Sequence, residues 1–179
     1  MQTVTDNTNC HAIATLESPG GNVYFSAFCT GVATFNISSP NLWWPNGLGT
    51  PNLYKLTINL YNDTAIEDTR EMSVGLRTFA KKCDDKGVRL LVNGKEYITF
   101  GGAYMPDELI VPKQNREKTY NALSSIAESG FNTVRVNGLG YYPCDYFYKL
   151  CDELGLVVWQ DLMCFGTDAA ELDIPELES

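Results

Sequence analysis

The sequence contains a single histidine and few basic residues. His11 is the only histidine in 179 residues, and no two of the six cysteines have CxxC spacing, so we expect no metal site and no cofactor. Lysine and arginine total 13 against 22 aspartate and glutamate residues, which gives a formal net charge of −9. The basic residues are scattered, with no run longer than Lys81-Lys82, and we therefore expect no nucleic acid partner.

A long apolar run is also lacking. No stretch approaches the roughly 20 residues that span a bilayer, so we expect no membrane segment. Residues 1–10 are polar, with neither a basic end nor an apolar middle, so we expect no signal peptide within these residues. Two sequons, Asn36-Ile37-Ser38 and Asn62-Asp63-Thr64, matter only in a secreted or lysosomal protein. The compartment stays open among cytoplasm, lysosome and exterior.

Residues 22–77 are rich in aromatic and β-branched residues separated by turn residues, which is typical of strands. We predict a hairpin from Asn22–Cys29 and Val32–Ile37. The clearest strand is Leu53–Tyr61, where apolar and polar residues alternate, so one face is buried and the other meets water. Without any helical period, the pattern favours a small antiparallel sandwich, while residues 1–21 give no defined element.

A second hairpin is predicted from Val88–Val92 and Glu96–Ile98. Asn93-Gly94 joins them, and this pair tolerates the positive φ angles of a type I′ turn. The pattern then changes from strands alone to strands that alternate with helices.

The second half of the chain has the order β-α-β-α-β. The predicted strands are Tyr97–Ala103, Thr133–Val136 and Leu156–Trp159, and the predicted helices are Gln114–Ser129 and the segment from Pro143 to Gly155. This order favours a parallel sheet with right-handed crossovers. Three strands cannot close a barrel, which needs eight, so the alternatives are a small open layer and a truncated barrel. Truncation is the better interpretation, because the acidic, aperiodic residues 171–179 offer no fourth strand.

Several motifs along residues 40–165 have a familiar order and spacing. In the first half these are Leu42–Gly49 with Leu53-Tyr54, then Val74–Arg77, and Asn93–Lys95 through Gly101-Gly102. They resemble the second sandwich domain of family 2 glycoside hydrolases and the hairpin that leads into its barrel. In the second half, Phe131–Val136, Asp145–Tyr148 and Cys151–Asp161 are similar to the β-mannosidase branch.

The resemblance implies a multidomain fold of β and α/β parts. Residues 1–80 would form an immunoglobulin-like β-sandwich, possibly incomplete at its start, and residues 81–179 the first three βα units of a (β/α)8 TIM barrel. The partners implied are a glycoside or oligosaccharide substrate and the rest of the barrel domain. Exposed edges of the partial sheet also predict a dimer or aggregate in solution.

The function implied is that of a retaining glycoside hydrolase acting on β-linked mannosides or a related sugar, without a cofactor. Retaining enzymes hold two carboxyl groups about 5 to 5.5 Å apart. Family 2 enzymes are similar to one another in placing the two catalytic glutamates after the fourth and on the seventh barrel strands. The resemblance therefore implies no catalytic residue in this chain, and we predict that the chain is inactive alone. Asn137 stands where mannosidases usually have tryptophan, and Gly102–Asp107 looks more like the exo-β-glucosaminidase branch, so a β-glucosaminide is the alternative substrate.

Residues at the carboxyl ends of barrel strands face the active site. The predicted substrate-binding residues are Arg135, Asn137, Tyr104, Asp107, Gln160 and Asp161. Arg135 is the best candidate, because the family's matching arginine lies in the catalytic centre, where a guanidinium holds the nucleophile's carboxylate ionised. An ordinary ion pair is its alternative role, and loop solvation or structural support is favoured for Asp107, Glu108 and Asp161.

Aromatic residues offer further candidates and a competing function. Tyr104 and Trp159 could stack on a sugar face, although core packing is favoured for Trp159 because it ends an apolar strand. Trp43-Trp44 suggests a non-catalytic carbohydrate-binding module, but packing against the neighbouring domain is favoured. A degenerate homologue is the third possibility.

Overall fold

The computed structural model describes residues 10–28, 32–85, 87–105 and 115–163. The chain forms two compact units, one of Met1–Trp44 with Leu48–Tyr97 and the other of Pro45–Gly47 with Ile98–Ser179. The main division between the two units falls after Tyr97. No helix in the described ranges is long and apolar enough to span a membrane.

The first unit contains a four-stranded antiparallel sheet in the order β2-β1-β3-β4. Its strands are β1 (Cys10–Glu17), β2 (Val23–Phe28), β3 (Tyr54–Asn62) and β4 (Ala65–Val74). The predicted strand Leu53–Tyr61 is confirmed as β3. The predicted hairpin of Asn22–Cys29 with Val32–Ile37 is wrong, because β2 pairs with β1 and the described residues 32–37 lie outside any strand.

Alternating side chains give this sheet one buried face. Ala12, Ala14 and Leu16 of β1 are each under 5% exposed, and they lie opposite the half-buried apolar residues of β3. The intervening residues of β3 are polar, and Lys55 pairs with Glu71 of β4 at 2.7 Å. One face therefore packs and the other meets water, as the alternation in β3 predicts.

A three-stranded antiparallel sheet completes the described strands of the first unit. It consists of β5 (Phe79–Asp84), β6 (Gly87–Val92) and β7 (Lys95–Tyr97) in that order. Asn93 and Gly94 have φ angles of 50° and 78°, so the predicted type I′ hairpin between β6 and β7 is confirmed.

The tryptophan pair lies within the first unit. Trp43 is 1% exposed, and the Arg77 guanidinium lies 4.5 Å above its ring. Trp44 is half-buried, with the Lys95 ammonium 4.7 Å from its ring centre. Trp43 therefore offers no ring face to a sugar, and Arg77, which lies over the ring, belongs to the same unit.

The second unit has the predicted β-α-β-α-β order. Its elements are β8 (Gly101–Tyr104), α1 (Arg116–Glu128), β9 (Thr133–Val136), α2 (Asp145–Leu154) and β10 (Val157–Gln160). The strands are parallel in the order β10-β9-β8. The described part of the chain thus passes from antiparallel sheets to a parallel β/α region. The predicted order of a β part followed by an α/β part is confirmed.

Local signals explain where the helices begin and end. The Asn115 side chain caps α1 by accepting a hydrogen bond from the Glu117 amide at 2.8 Å. Gly155 ends α2 in the left-handed conformation, with φ of 71°. Both helices pack on the same face of the sheet, where they enclose a core of Leu123, Val134, Val136, Phe147, Leu150, Cys151 and Leu156.

Candidate functional site

The site begins with the alternation of side chains across the parallel sheet. Val134 and Val136 of β9 face the helices and are buried, so Arg135 between them points to the opposite face. In the strand register Arg135 lies beside Ala103 of β8 and Trp159 of β10. This second face of the sheet is not covered by either helix, and it ends at the carboxyl edge of the strands.

Arg135 forms a two-pronged ion pair with Asp161, the first residue after β10. The Arg135 Nε lies 3.1 Å from both carboxylate oxygens, and Nη2 lies 2.8 Å from Oδ2. Hydrogen bonding to Asp161 raises the pKa of Arg135, and the same bond is the main cause that lowers the pKa of Asp161. Both groups are therefore charged at neutral pH.

Asp161 has additional partners that sequence analysis missed. The Gly138 amide donates to Oδ2 at 3.4 Å, and the Trp159 side chain also bonds to the carboxylate. A Cβ at position 138 would come within 2.5 Å of the Leu162 carbonyl oxygen, so only glycine lets the loop approach this closely. Gly138 follows Asn137 in a segment whose composition indicates a loop, but nothing in the sequence indicates that its amide bonds to Asp161.

Gln160 and Tyr148 connect α2 to the end of β10. The Tyr148 hydroxyl donates to Gln160 Oε1 at 2.7 Å, and Gln160 Nε2 donates to the Asp161 carbonyl at 2.7 Å. Burial is the first cause that raises the pKa of Tyr148, so this hydroxyl keeps its proton. Gln160 therefore lies behind Asp161, on the helix side of the sheet.

The remaining predicted residues are more dispersed. Asn137 accepts a hydrogen bond from the Leu139 amide at 3.0 Å, which closes the turn after β9. The Tyr104 ring lies 4.7 Å from the Phe147 ring and packs against the helix-side core, away from Arg135. Asp107 and Glu108 lie outside the described residues. The structure thus brings Arg135 and Asp161 together, with the loop of Asn137 beside them.

The prediction that Trp159 packs in the core is wrong. Its side chain is 56% exposed and lies on the uncovered face, with the Arg135 Cζ 5.9 Å from the ring centre. The neighbouring Val158 packs against the core instead. Strand alternation places adjacent residues on opposite faces, and an apolar run does not reveal which of them meets the helices.

The side chains of Arg135, Asp161 and Trp159 suit an anionic group and a sugar ring better than a metal ion. Within the described ranges, no group of three histidine, cysteine, aspartate or glutamate side chains could hold a metal ion. An arginine fixed by a carboxylate on one side can bind a second anionic group through its remaining donors. An indole beside it can stack on the apolar face of a pyranose.

Known proteins are similar to this chain in sequence and in fold. Residues 3–77 match glycosyl hydrolases family 2. Beta-mannosidase B of Aspergillus terreus is 34% identical over 136 residues, which cover 74% of this chain and 16% of that protein. Beta-mannosidase B of Aspergillus oryzae is 32% identical over 158 residues, which cover 86% and 17% respectively. The beta-D-mannosidase structure from Dictyoglomus thermophilum matches 90% of this chain and 22% of its own, with a TM-score of 0.75 and 28% identity.

These matches identify a class of glycoside hydrolase. The chain carries a glycosyl hydrolases family 2 domain and belongs to that family. Within it, the chain is distantly homologous to fungal beta-mannosidases over most of its length, so the resemblance found in the motifs is confirmed. The chain spans about a sixth of the length of these fungal relatives.

Proposed function

We propose that this chain is part of a retaining glycoside hydrolase that acts on β-linked mannosides or a related sugar. The observation that carries the proposal is the Arg135–Asp161 pair, which lies at the carboxyl edge of a parallel sheet in a homologue of beta-mannosidases. In (β/α)8 enzymes this edge holds the catalytic and substrate-binding groups.

The path of the chain through the second unit supports a barrel. The strands follow one another in the sheet as β8, β9 and β10, and both helices cover the same face. This pattern agrees with the start of a barrel, which advances in one direction with all helices outside, and equally with one half of a doubly wound sheet. The homology to beta-mannosidases favours the barrel. We assign the second unit to the first three βα units of a TIM barrel and the first unit to an immunoglobulin-like sandwich.

The catalytic acid and nucleophile are proposed to lie outside this chain. A retaining glycosidase needs one carboxyl group that is protonated and another that attacks the anomeric carbon. Asp161 does not suit the acid, because Arg135 lowers its pKa, and it is a poor candidate for the nucleophile, because donors from Arg135 and Gly138 occupy its carboxylate oxygens. The reactive acids would reach the site from later strands of the barrel.

Arg135 is proposed to bind the carboxylate of the nucleophile. A guanidinium has five N–H donors, and Asp161 occupies the side that carries Nε and one hydrogen of Nη2. The donors on Nη1 and the other hydrogen of Nη2 remain for a second carboxylate, which such a contact would keep ionised. The fungal relatives favour mannose, while Asn137 keeps a β-glucosaminide as the alternative substrate.

The test is an assay of the complete reading frame that contains residues 1–179. We expect it to hydrolyse 4-nitrophenyl β-mannoside, or the β-glucosaminide analogue, while the 179-residue chain shows no turnover. Arg135→Ala in the longer protein should lower kcat by roughly 10²- to 10³-fold, as for loss of a charge-stabilising donor. Arg116→Ala is the matched control, since that arginine lies on α1 above the Tyr146 ring.

Two outcomes would contradict the proposal. Turnover by the 179-residue chain that is abolished by Asp161→Asn would place the chemistry within the described residues. A longer protein inactive on both substrates would remove the hydrolase assignment.

A further inference from the structure

We infer that Asp161 is a positioning residue, which orients the guanidinium of Arg135 and does not itself bind the sugar. This role depends on the proposed function, because the direction of the guanidinium matters only if Arg135 acts on a second group. Sequence motifs place Asp161 and Gln160 among the substrate-binding residues, whereas their contacts assign both to the support of Arg135.

The carboxylate of Asp161 has little capacity left for a sugar hydroxyl. Arg135 Nε approaches both oxygens at 3.1 Å, and Nη2 approaches Oδ2 at 2.8 Å. The Gly138 amide is a further donor to Oδ2 at 3.4 Å, and the indole of Trp159, which can only donate, bonds to the same carboxylate. A carboxylate accepts about four hydrogen bonds, two at each oxygen, so these donors use most of its capacity, above all at Oδ2.

The backbone of Asp161 is held as firmly as its side chain. Its amide donates to the Val136 carbonyl at 3.1 Å, which extends the parallel register one residue beyond β10. Its carbonyl accepts from Gln160 Nε2 at 2.7 Å, and Gln160 is fixed in turn by the Tyr148 hydroxyl at 2.7 Å. Helix α2 thereby determines where the carboxylate of Asp161 lies.

Asp161 in turn determines the direction of the Arg135 guanidinium. Arg135 is half-exposed, and a long side chain in water has many rotamers. Two-pronged pairing through Nε and Nη2 selects one of them, because a planar fork can meet a carboxylate in few orientations. The edge that carries Nη1 is then presented on the uncovered face of the sheet, where an incoming carboxylate can meet it.

NMR of the 179-residue chain tests this role without any enzymatic assay. The Arg135 Nε–H resonance should exchange slowly with water and be displaced from those of the other arginines. We expect Asp161→Asn to remove both properties, and Asp161→Glu to restore them in part because it keeps the carboxylate. Glu153→Gln is the matched control, since it removes an acid of α2 that pairs with Lys149. An unchanged Arg135 resonance in Asp161→Asn would overturn the inference.

Steady-state kinetics of the longer protein gives a second, independent result. Asp161→Asn should lower kcat by roughly 10²-fold, the usual consequence of a misplaced group, while KM changes little because no sugar contact is lost. A raised KM with unchanged kcat would show direct substrate contact and would overturn the positioning role. If wild-type protein lacks glycosidase activity, the proposed function fails, and the arginine resonances alone then decide the role of Asp161.

Discussion

The four-stranded antiparallel sheet and the parallel sheet differ in the side chains on their uncovered faces. In the first unit, the outer face of β3 and β4 carries the Lys55–Glu71 ion pair at 2.7 Å and a hydrogen bond of 2.8 Å from Thr69 to Asn59. In the second unit, the face without helices carries the exposed indole of Trp159. On β3 and β4 the first face is polar, although Phe25 of β2 is exposed on the same face, whereas the second places an exposed indole beside the Arg135–Asp161 pair.

The difference shows which sheet requires further protein. Antiparallel sheets commonly have one solvated face, but parallel sheets are found with both faces covered. The indole of Trp159 is 56% exposed on the face that neither helix covers. The proposed barrel would cover this surface with its later strands. Each prediction below contrasts a residue of one unit with a residue of the other.

The largest expected contrast concerns cysteine reactivity. Burial raises the pKa of Cys151 in α2 from its ordinary 9.0 to about 12, whereas Cys83 in β5 is exposed. Alkylation needs the thiolate, so a pKa higher by about three units should slow the reaction of Cys151 at pH 8 by about 10³-fold or more. Mass spectrometry after iodoacetamide treatment measures both rates, with exposed Cys144 as control. Comparable rates at Cys151 and Cys144 would mean that the helix-side core opens readily.

Core truncation should give the next largest contrast. Phe147 is 1% exposed in the core of the second unit, and Phe147→Ala should reduce the free energy of unfolding by about 3–5 kcal/mol. Phe25 of β2 is 71% exposed, so Phe25→Ala should change it by no more than about 0.5 kcal/mol. Urea denaturation followed by circular dichroism measures both. Equal losses would contradict the location of the core.

Much of the fold could be predicted from periodicity and turn chemistry. The Asn93-Gly94 turn and strand β9 are found where the sequence indicated, because a positive φ angle and an apolar run are local properties. Strand β1 was missed, since its buried residues are mainly Ala12 and Ala14, and alanine is weakly apolar and disfavoured in strands. Its pairing with β3 also depends on distant residues, from Lys55 opposite Glu17 to Asn62 opposite Cys10.

The sequence predicts where the residues of the candidate site lie along the strands, but not which of them contact one another. Arg135 and Asp161 were expected at strand ends, and the structure has them there. Their ion pair joins residues 26 positions apart, so it depends on the parallel register of β9 and β10, which no local pattern specifies. The faces on which Tyr104 and Trp159 lie depend on which side of the sheet the helices cover, and Tyr104 accordingly packs among the helices.

The smallest expected contrast concerns two asparagines that are near in sequence but belong to different units. Asn46 Nδ2 donates to the carbonyls of Ala127 and Phe131 at 2.7 and 2.9 Å, and its amide donates to the Gly155 carbonyl at 2.8 Å. Asn46→Ala removes the side-chain donor to the Phe131 carbonyl and one of the donors to the Ala127 carbonyl, which keeps the Gly130 amide, and this should cost the second unit about 1–3 kcal/mol.

Asn52 is the matched control, because its side chain makes a single hydrogen bond, to the Leu42 carbonyl at 3.0 Å, within the first unit. Asn52→Ala should cost about 0.5–1.5 kcal/mol. Hydrogen exchange resolved by peptide separates the two effects: Asn46→Ala should weaken protection in α1 and leave β3 unchanged, and Asn52→Ala should not affect α1. Since only three residues, Pro45–Gly47, join the second unit from within the first, loss of protection in β3 with Asn46→Ala would mean that the two units unfold together.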